Sequence, residues 1–431
     1  MTYAESVAYL YRLQKHGIKL GLETMTELMD RLTAPHRRYR TLHVAGTNGK
    51  GSTAAMAASI LREAGYRVGL YTSPHLVDFR ERIRVNGEMI GEAAVAGLTE
   101  QMRSHCGTDL VPTFFECTTA MALQHFADAH VDVAVLEVGL GGQFDATNVV
   151  TPTACAITTI ALDHQEYLGT TLSSIAFEKA GIIKSNVPLV VGRIEEEAWH
   201  RIEQVATERH APLARLDRDF FAEGQTPNSF SYRGRAAHYE GLTIPLEGRH
   251  QLDNAACALA LIEAATTNGL EVIDAAVRQG LRVVNWEGRL EIVDRRPTVM
   301  LDGAHNPAAS AVLATYLKDY ARTNLHSRVI LVWGMMRDKD HRGFAAPLID
   351  AVDDLILTQA DLPRSATVAD LHGALAGHRC CPRASPILSE AIALARRLAA
   401  PDDLICVTGS LMLVGEMKAL VRGCGLSPIR G

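Results

Sequence analysis

The stretch Leu42-His43-Val44-Ala45-Gly46-Thr47-Asn48-Gly49-Lys50-Gly51-Ser52 decides the fold. Leu42 to Ala45 reads as a buried strand. Ser52 to Ala64 reads as an alanine-rich helix closed by Gly65, and Val68-Gly69-Leu70-Tyr71 as the next strand. A glycine-rich turn between strand and helix is the setting that a phosphate-binding loop requires. Its glycines let backbone N–H groups approach phosphate oxygens, and the helix N-terminus adds its positive dipole end. Lys50 supplies a mobile cation for the β- and γ-phosphates, and Ser52 a hydroxyl for Mg²⁺. The loop departs twice from the usual G-x-x-x-x-G-K-[ST] pattern: Val44 stands where the first glycine belongs, and Gly51 separates Lys50 from Ser52. A plain glycine turn is the alternative; the strand–turn–helix setting favours the nucleotide.

Outward from this unit the same alternation continues. Val131 to Val138, Thr153 to Ile160 and Val187 to Val191 read as strands between helical segments, the signature of parallel β-α-β units. The pattern restarts near residue 297, with strands at Thr298–Leu301, Val329–Trp333, Leu355–Thr358 and Leu404–Thr408 and a helix from Pro307 to Tyr320. The polar stretch Asn285-Trp286-Glu287-Gly288-Arg289 separates the halves. The expectation is an α/β chain with a P-loop-type ATPase domain over residues 1–288, built on a mainly parallel sheet, and a smaller Rossmann-like domain over 289–431. The irregular stretch 193–245 reads as a small antiparallel insertion.

Composition narrows the class. The chain has 431 residues, a length for two or three domains, and is 47% hydrophobic and 21% charged with net charge −6, the balance of a soluble globular protein. No basic excess points to nucleic acid, and no apolar run approaches the ~18 residues of a membrane helix. Met1 to Glu5 lacks the basic and apolar regions of a secretory signal, so the expected location is cytoplasmic. The eight cysteines form no C-x-x-C pair, which argues against a zinc site or a disulfide framework.

Three further residues carry candidate chemistry. Glu137 ends the strand Val131–Leu136, apolar from Val133 onward, where an ionised carboxylate is costly unless paired or metal-bound; the position is that of a Walker-B acid serving Mg²⁺. An exposed glutamate just past the strand is the plain alternative. His164 follows Asp163 at the end of the next strand, and unaided it reads as a loop histidine bonded to Asp163. In Leu172–Ala180, Leu172, Ile175, Ala176 and Lys179 share one helical face, which turns a lysine inward unless it snorkels or pairs with an acid.

These segments, with Thr72-Ser73-Pro74-His75-Leu76, Glu81-Arg82-Ile83, Thr113-Phe114-Phe115-Glu116, Glu137-Val138-Gly139-Leu140-Gly141-Gly142, Asp145-Ala146-Thr147-Asn148, Glu178-Lys179-Ala180-Gly181, Leu301-Asp302-Gly303-Ala304-His305-Asn306-Pro307 and Thr408-Gly409-Ser410, resemble the folylpolyglutamate synthases. The resemblance is to the bacterial bifunctional dihydrofolate synthase type within the Mur ligase superfamily, and spans residues 18 to 415.

The resemblance implies an ATP-dependent ligase that adds L-glutamate to dihydropteroate and further glutamates to folates, as a monomer. Gly49, Lys50, Gly51 and Ser52 would hold the ATP phosphates, with Ser52 near one Mg²⁺. Ser73, Glu137 and His164 would ligate a second Mg²⁺. Asn254, Arg289 and Asp302 would contact ATP. The pterin would lie against Leu20, Gly21 and Leu22, against Thr113, Phe114, Phe115 and Glu116, and against Phe144, Asp145 and Ala146. His305 and Ser410 would face glutamate, and His305 is counted among the catalytic groups with Lys50 and Lys179. Lys179 would be carboxylated to a carbamate. The physics agrees: a unit charge about 5 Å from one charge of Mg²⁺, at an effective dielectric of ~20, is opposed by ~3 kcal/mol, so an ammonium there is disfavoured. Gln143 stands where bacterial relatives often have arginine, which leaves the balance between dihydropteroate and folate forms open. The core reading of Phe114 and Phe115 also stays open here. A peptidoglycan-precursor ligase and a nucleotide switch without ligase activity are the rival functions.

Overall fold

The structure, a computed structural model, describes residues 1–17, 21–324, 327–378 and 380–427. Eight strands form the first sheet: β1 (Arg40–Ala45), β2 (Val68–Tyr71), β3 (Ile83–Val85), β4 (Glu88–Met89), β5 (Val133–Glu137), β6 (Ala154–Ile157), β7 (Leu189–Val191) and β8 (Leu213–Arg215). Their order is β4-β3-β2-β5-β1-β6-β7-β8. β2, β5, β1, β6, β7 and β8 run parallel, while β3 pairs antiparallel with β2 and β4 antiparallel with β3. Val44 pairs in register with Glu137 on one side and Ala156 on the other, so the carboxyl ends of three central strands meet at one edge. Ligands bind at that edge in open parallel sheets.

Helices cover both faces. α1 (Lys50–Glu63) starts two residues earlier than the sequence suggests, with Gly49 as its N-cap at φ 85°. It carries mostly small side chains, so neighbours approach closely. α2 (Phe114–Asp128) lies on the opposite face. α3 (Leu172–Ala180) buries Ile175, Ala176 and Lys179, the face expected from its spacing. α4 (His250–Thr266) and α5 (Asp274–Val283) pack on α1. There Ser59 Oγ donates to Gly280 O at 2.7 Å, and a Cβ at residue 280 would come within 2.5 Å of Ile60 Cα. The irregular stretch resolves into a helix at Glu196–Glu208, then β8, still parallel in the main sheet, and a three-stranded antiparallel sheet of β9 (Phe221–Thr226), β10 (Ser229–Arg233) and β11 (His238–Leu242). The insertion is therefore shorter than 193–245.

The remaining strands, β12 (Glu291–Arg295), β13 (Thr298–Leu301), β14 (Val329–Trp333), β15 (Asp354–Gln359), β16 (Arg383–Ile387) and β17 (Leu404–Thr408), form a second sheet in the order β12-β13-β17-β14-β15-β16. All pairs are parallel except β12–β13. β12 is an antiparallel edge strand that the sequence reading passed over. α6 (Pro307–Thr323) opens with Pro307 at its first position, and the Asn306 side chain accepts from Ala309 N at 2.9 Å. The halves touch through apolar residues: Leu76 and Val77 join the core of the second sheet beside Met412, Leu413 and Val414. Among the described residues no helix is long and apolar enough to cross a membrane.

Candidate active site between the two sheets

A cleft of about 690 Å³ lies between the sheets. One wall is the Gly46–Ser52 loop, which is tied to the end of β6: Asn48 N donates to Thr159 Oγ1 at 2.9 Å, and Thr158 Oγ1 donates to Asn48 O at 2.6 Å. Gly49 fits against the Asn254 amide and Gly51 against the Trp286 ring, where a Cβ would collide with either. Both neighbours lie some 200 residues downstream, so the loop is shaped by tertiary packing as well as by its glycines.

Two lysines converge on one carbonyl. Lys50 Nζ donates to Gly46 O at 3.0 Å and Thr47 O at 3.1 Å, and Lys179 Nζ donates to the same Gly46 O at 3.0 Å. Lys179 is 4% exposed, and among the described residues no carboxylate lies within ion-pair distance of it. Burial, then the charge of Lys50, lowers its pKa to about 7. Burial lowers that of Lys50 too, with Glu137 and Asp163 opposing.

Glu137 is the last residue of β5 and 5% exposed, so the exposed alternative does not hold. Its Oε2 accepts from Ser73 N at 3.1 Å, and burial raises its pKa despite Lys50. Ser52, Ser73 and His164 line the same cleft. Among the described residues no group of three or more His, Cys, Asp or Glu side chains could by itself hold a metal ion. One carboxylate with hydroxyls beside a phosphate loop is nevertheless the sparse oxygen set that suits Mg²⁺, which keeps waters and substrate phosphates as its other ligands. His164 is the softer member.

Asp163 proves more central than His164. Its carboxylate accepts from the backbone N of His164 at 2.9 Å, while the two side chains stay 3.9 Å apart. Three groups from the second half of the chain reach it: Lys339 Nζ at 2.6 Å, Asn306 Nδ2 at 3.0 Å and His305 Nε2 at 3.5 Å. Burial opposes its ionisation, but the hydrogen bond and charge of His305, with His164 and Lys339, hold its pKa well below the carboxylate range. His164 sits at φ 49° as the cap of a short helical turn, and its pKa falls to about 4, first through burial and then through Lys339 and His305, against Asp163.

Arg289, Asp302, His305 and Ser410 line the facing wall, and Asn254 the near one. Asp302 accepts from Leu290 N at 3.0 Å and Ala304 N at 2.9 Å, and so ties the residue after Arg289 to the turn after β13. The Arg289 guanidinium donates to Gly288 O at 3.0 Å, and burial lowers its pKa. Ser410 Oγ caps the helix Leu411–Arg422 by accepting from Met412 N at 3.0 Å.

The expected pterin residues form a separate group. Gly21, Leu22, Thr113, Phe114, Phe115, Glu116, Phe144, Asp145 and Ala146 do not line this cleft; Leu20 lies outside the described residues. Thr113 and Glu116 cap α2 reciprocally, Thr113 N donating to Glu116 Oε2 at 2.7 Å. Phe114 is core, stacked on Tyr11 at 4.9 Å with the Arg82 guanidinium 5.2 Å from its ring. Phe115 is half-buried against Gly139, and Phe144 is exposed. Asp145 links this group to the cleft: its Oδ2 accepts from Gly139 N at 3.0 Å and Leu140 N at 2.9 Å, and Gly139 and Leu140 line the cleft wall.

Sequence reasoning missed Asp163, Asn306 and Lys339 as site residues. Asp163 stood next to the residue that was chosen. Asn306 could have been found as the side-chain cap before Pro307. Lys339, in a loop after β14, carried no signal.

The Mur ligase middle domain matches residues 44–262, and the Mur ligase, glutamate ligase domain matches residues 288–411. The chain is 36% identical to the Bacillus subtilis dihydrofolate synthase/folylpolyglutamate synthase over 431 residues, covering 97% of this chain and 99% of that one. It is 38% identical to a Haloferax volcanii bifunctional folylpolyglutamate synthase/dihydropteroate synthase over 97% of this chain, but spans only 50% of that longer protein. The structure of Escherichia coli FolC in complex with DHPP and ADP superposes with TM-score 0.89 at 36% identity, covering 98% of each chain. A bifunctional folylpolyglutamate synthase/dihydrofolate synthase with Mn, AMPPNP and L-glutamate bound gives TM-score 0.86 at 35% identity, again over 98% of each.

Proposed function

The chain belongs to the dihydrofolate synthase/folylpolyglutamate synthase family of Mur ligases, and on that footing we propose that it joins L-glutamate to dihydropteroate and to folates at the expense of ATP. The observation that carries the reading is the cleft itself, with the Lys50 loop on one wall and Asp302–His305 on the other.

Gly49, Lys50, Gly51 and Ser52 hold the ATP phosphates. Asn254 and Arg289, which line the cleft, would contact the nucleotide from residues 1–288 and the junction, and Asp302 from residues 289–431, the two domains of this reading. Ser52, and separately Ser73, Glu137 and His164, would hold Mg²⁺, which when bound neutralises phosphate charge. The residues fit that ion, as the oxygen set around Glu137 indicates. The substrate carboxylate attacks the γ-phosphorus and expels ADP, which leaves an acyl phosphate. The glutamate amine then attacks the acyl carbon and releases phosphate, forming the amide. His305 and Ser410 face the incoming glutamate. Lys50 must leave its two carbonyls to reach a phosphate, and its cation then offsets charge that develops in transfer. Closure of the two walls excludes water that would hydrolyse the acyl phosphate.

Lys179 is carboxylated in this reading. Its lowered pKa leaves about half the amine neutral near pH 7. The neutral amine takes up CO₂ and releases a proton, giving an anionic carbamate beside Lys50. The acceptor pocket lies about Gly21, Leu22, Phe115 and Phe144–Ala146, reached past Gly139. A monomer in the cytoplasm belongs to the same reading and rests on the family resemblance.

The test is amide formation measured with each substrate omitted in turn. Product and ADP are expected only when ATP, a divalent cation, glutamate and a pteroate or folate are all present. ATP turnover independent of glutamate would overturn the assignment.

A further inference from the structure

Lys339 belongs to the second half of the chain, yet its ammonium ends among groups of the first. Nζ lies 2.6 Å from Asp163 Oδ1 and 3.3 Å from His164 Nε2. The side chains of Lys339 and Asp163 are 10% and 7% exposed, so this is a built contact rather than a surface encounter. An ammonium has no acceptor, so the contact with Nε2 requires Nε2 to carry its lone pair and Nδ1 the ring proton. That lone pair is the one through which His164 would take a divalent cation. Asp163 cannot turn away to release the lysine, because Asn306 Nδ2 holds its other oxygen at 3.0 Å.

We propose that Lys339 is a positioning residue that stands in for the divalent cation at His164, fixing the imidazole in its metal-ligating tautomer and occupying the lone pair until a metal displaces it. The inference rests on the metal reading given above. One lone pair cannot serve an ammonium and a divalent ion together, and the two cations repel. Metal entry therefore moves Nζ off Nε2, while Asp163 keeps the lysine within reach. Binding the metal is thus an exchange of one cation for another rather than a filling of empty space.

Mn²⁺ titration followed by electron paramagnetic resonance tests this on the full chain, with and without AMPPNP. Lys339→Met and Lys339→Gln remove the competing charge, and each should bind Mn²⁺ about fivefold tighter or more, since close like charges oppose each other. Lys339→Arg keeps the charge and should stay within about twofold of the parent. Both neutral variants should also melt earlier than the parent without metal and regain more of the loss on adding Mn²⁺. Equal or weaker Mn²⁺ binding by the two neutral variants, folded by circular dichroism, overturns the inference and leaves the metal reading intact. A parent chain whose Mn²⁺ binding is unaffected by His164→Ala would overturn the metal reading at His164 and this inference with it.

Discussion

Asn48 and Asn306 exchange amide hydrogen bonds across the cleft: Asn48 Nδ2 donates to Asn306 Oδ1 at 3.2 Å, and Asn306 Nδ2 donates to Asn48 Oδ1 at 3.1 Å. Asn48 belongs to the phosphate loop, and Asn306 caps α6 and reaches Asp163. The Gly46–Ser52 loop is therefore bonded to the segment that carries His305. Asn48→Ala leaves a buried amide short of a partner, at a cost of about 1–3 kcal/mol in the closed state. The expected result is kcat lowered roughly five- to hundredfold with the fold retained. Small-angle scattering of the AMPPNP complex should show a more open particle than the parent; an unchanged profile and rate would remove this pair from closure.

Lys50→Ala should lower turnover by about a hundredfold or more, the usual loss when one preorganised contact to developing charge is removed, ~3 kcal/mol. Circular dichroism should be unchanged, since Lys50 bonds only to Gly46 O and Thr47 O at the loop edge. Near-normal turnover would take Lys50 out of the mechanism.

Lys179→Ala should be inactive and partly rescued by short carboxylic acids, which supply the missing anion. The pH dependence has a definite sign. The folded pKa is lowered to about 7, so below that pH Lys179 is an ammonium and cannot add CO₂, whereas above it the amine is neutral and can. After CO₂ is stripped at low pH, bicarbonate should restore activity faster at pH 8 than at pH 6. Absence of a carbamate ¹³C resonance in fully active enzyme kept at pH 8 with ¹³C-bicarbonate would sink the idea.

Both dihydropteroate and tetrahydrofolate should accept glutamate. Activity on folates alone would make this a single-function polyglutamate synthase. Gln143 is the residue to vary in that case: Gln143→Arg should lower KM for the acceptor that gains from a nearby cation.

The alternating strands and helices made most of the fold legible, and β13, β14 and β17 begin and end where their β-branched and aliphatic runs do. β12 escaped because Glu291–Arg295 is half-exposed and polar, the composition of an edge strand. The inward face of α3 was legible because helical spacing alone places Lys179 with Ile175 and Ala176. Glu137 was legible because an acid that ends an apolar run has few other uses. Asp163, Asn306 and Lys339 were not, because they meet only when residues 163, 306 and 339 are brought together by two separate sheets. No local spacing encodes that meeting. At Phe114 the sequence left two readings open, since an aromatic pair before a carboxylate suits either a flat ring or the core, and the structure stacks Phe114 on Tyr11.

The most direct test of the central claim follows an oxygen atom. Dihydropteroate labelled with ¹⁸O in its carboxylate is incubated with ATP, Mg²⁺ and L-glutamate, and the released phosphate is analysed by mass spectrometry. Attack of the carboxylate on the γ-phosphorus leaves one substrate oxygen bridging carbon and phosphorus, and amide formation breaks the carbon–oxygen bond. The account predicts one ¹⁸O in each phosphate released. Phosphate free of label, with amide product formed at the normal rate, would contradict it.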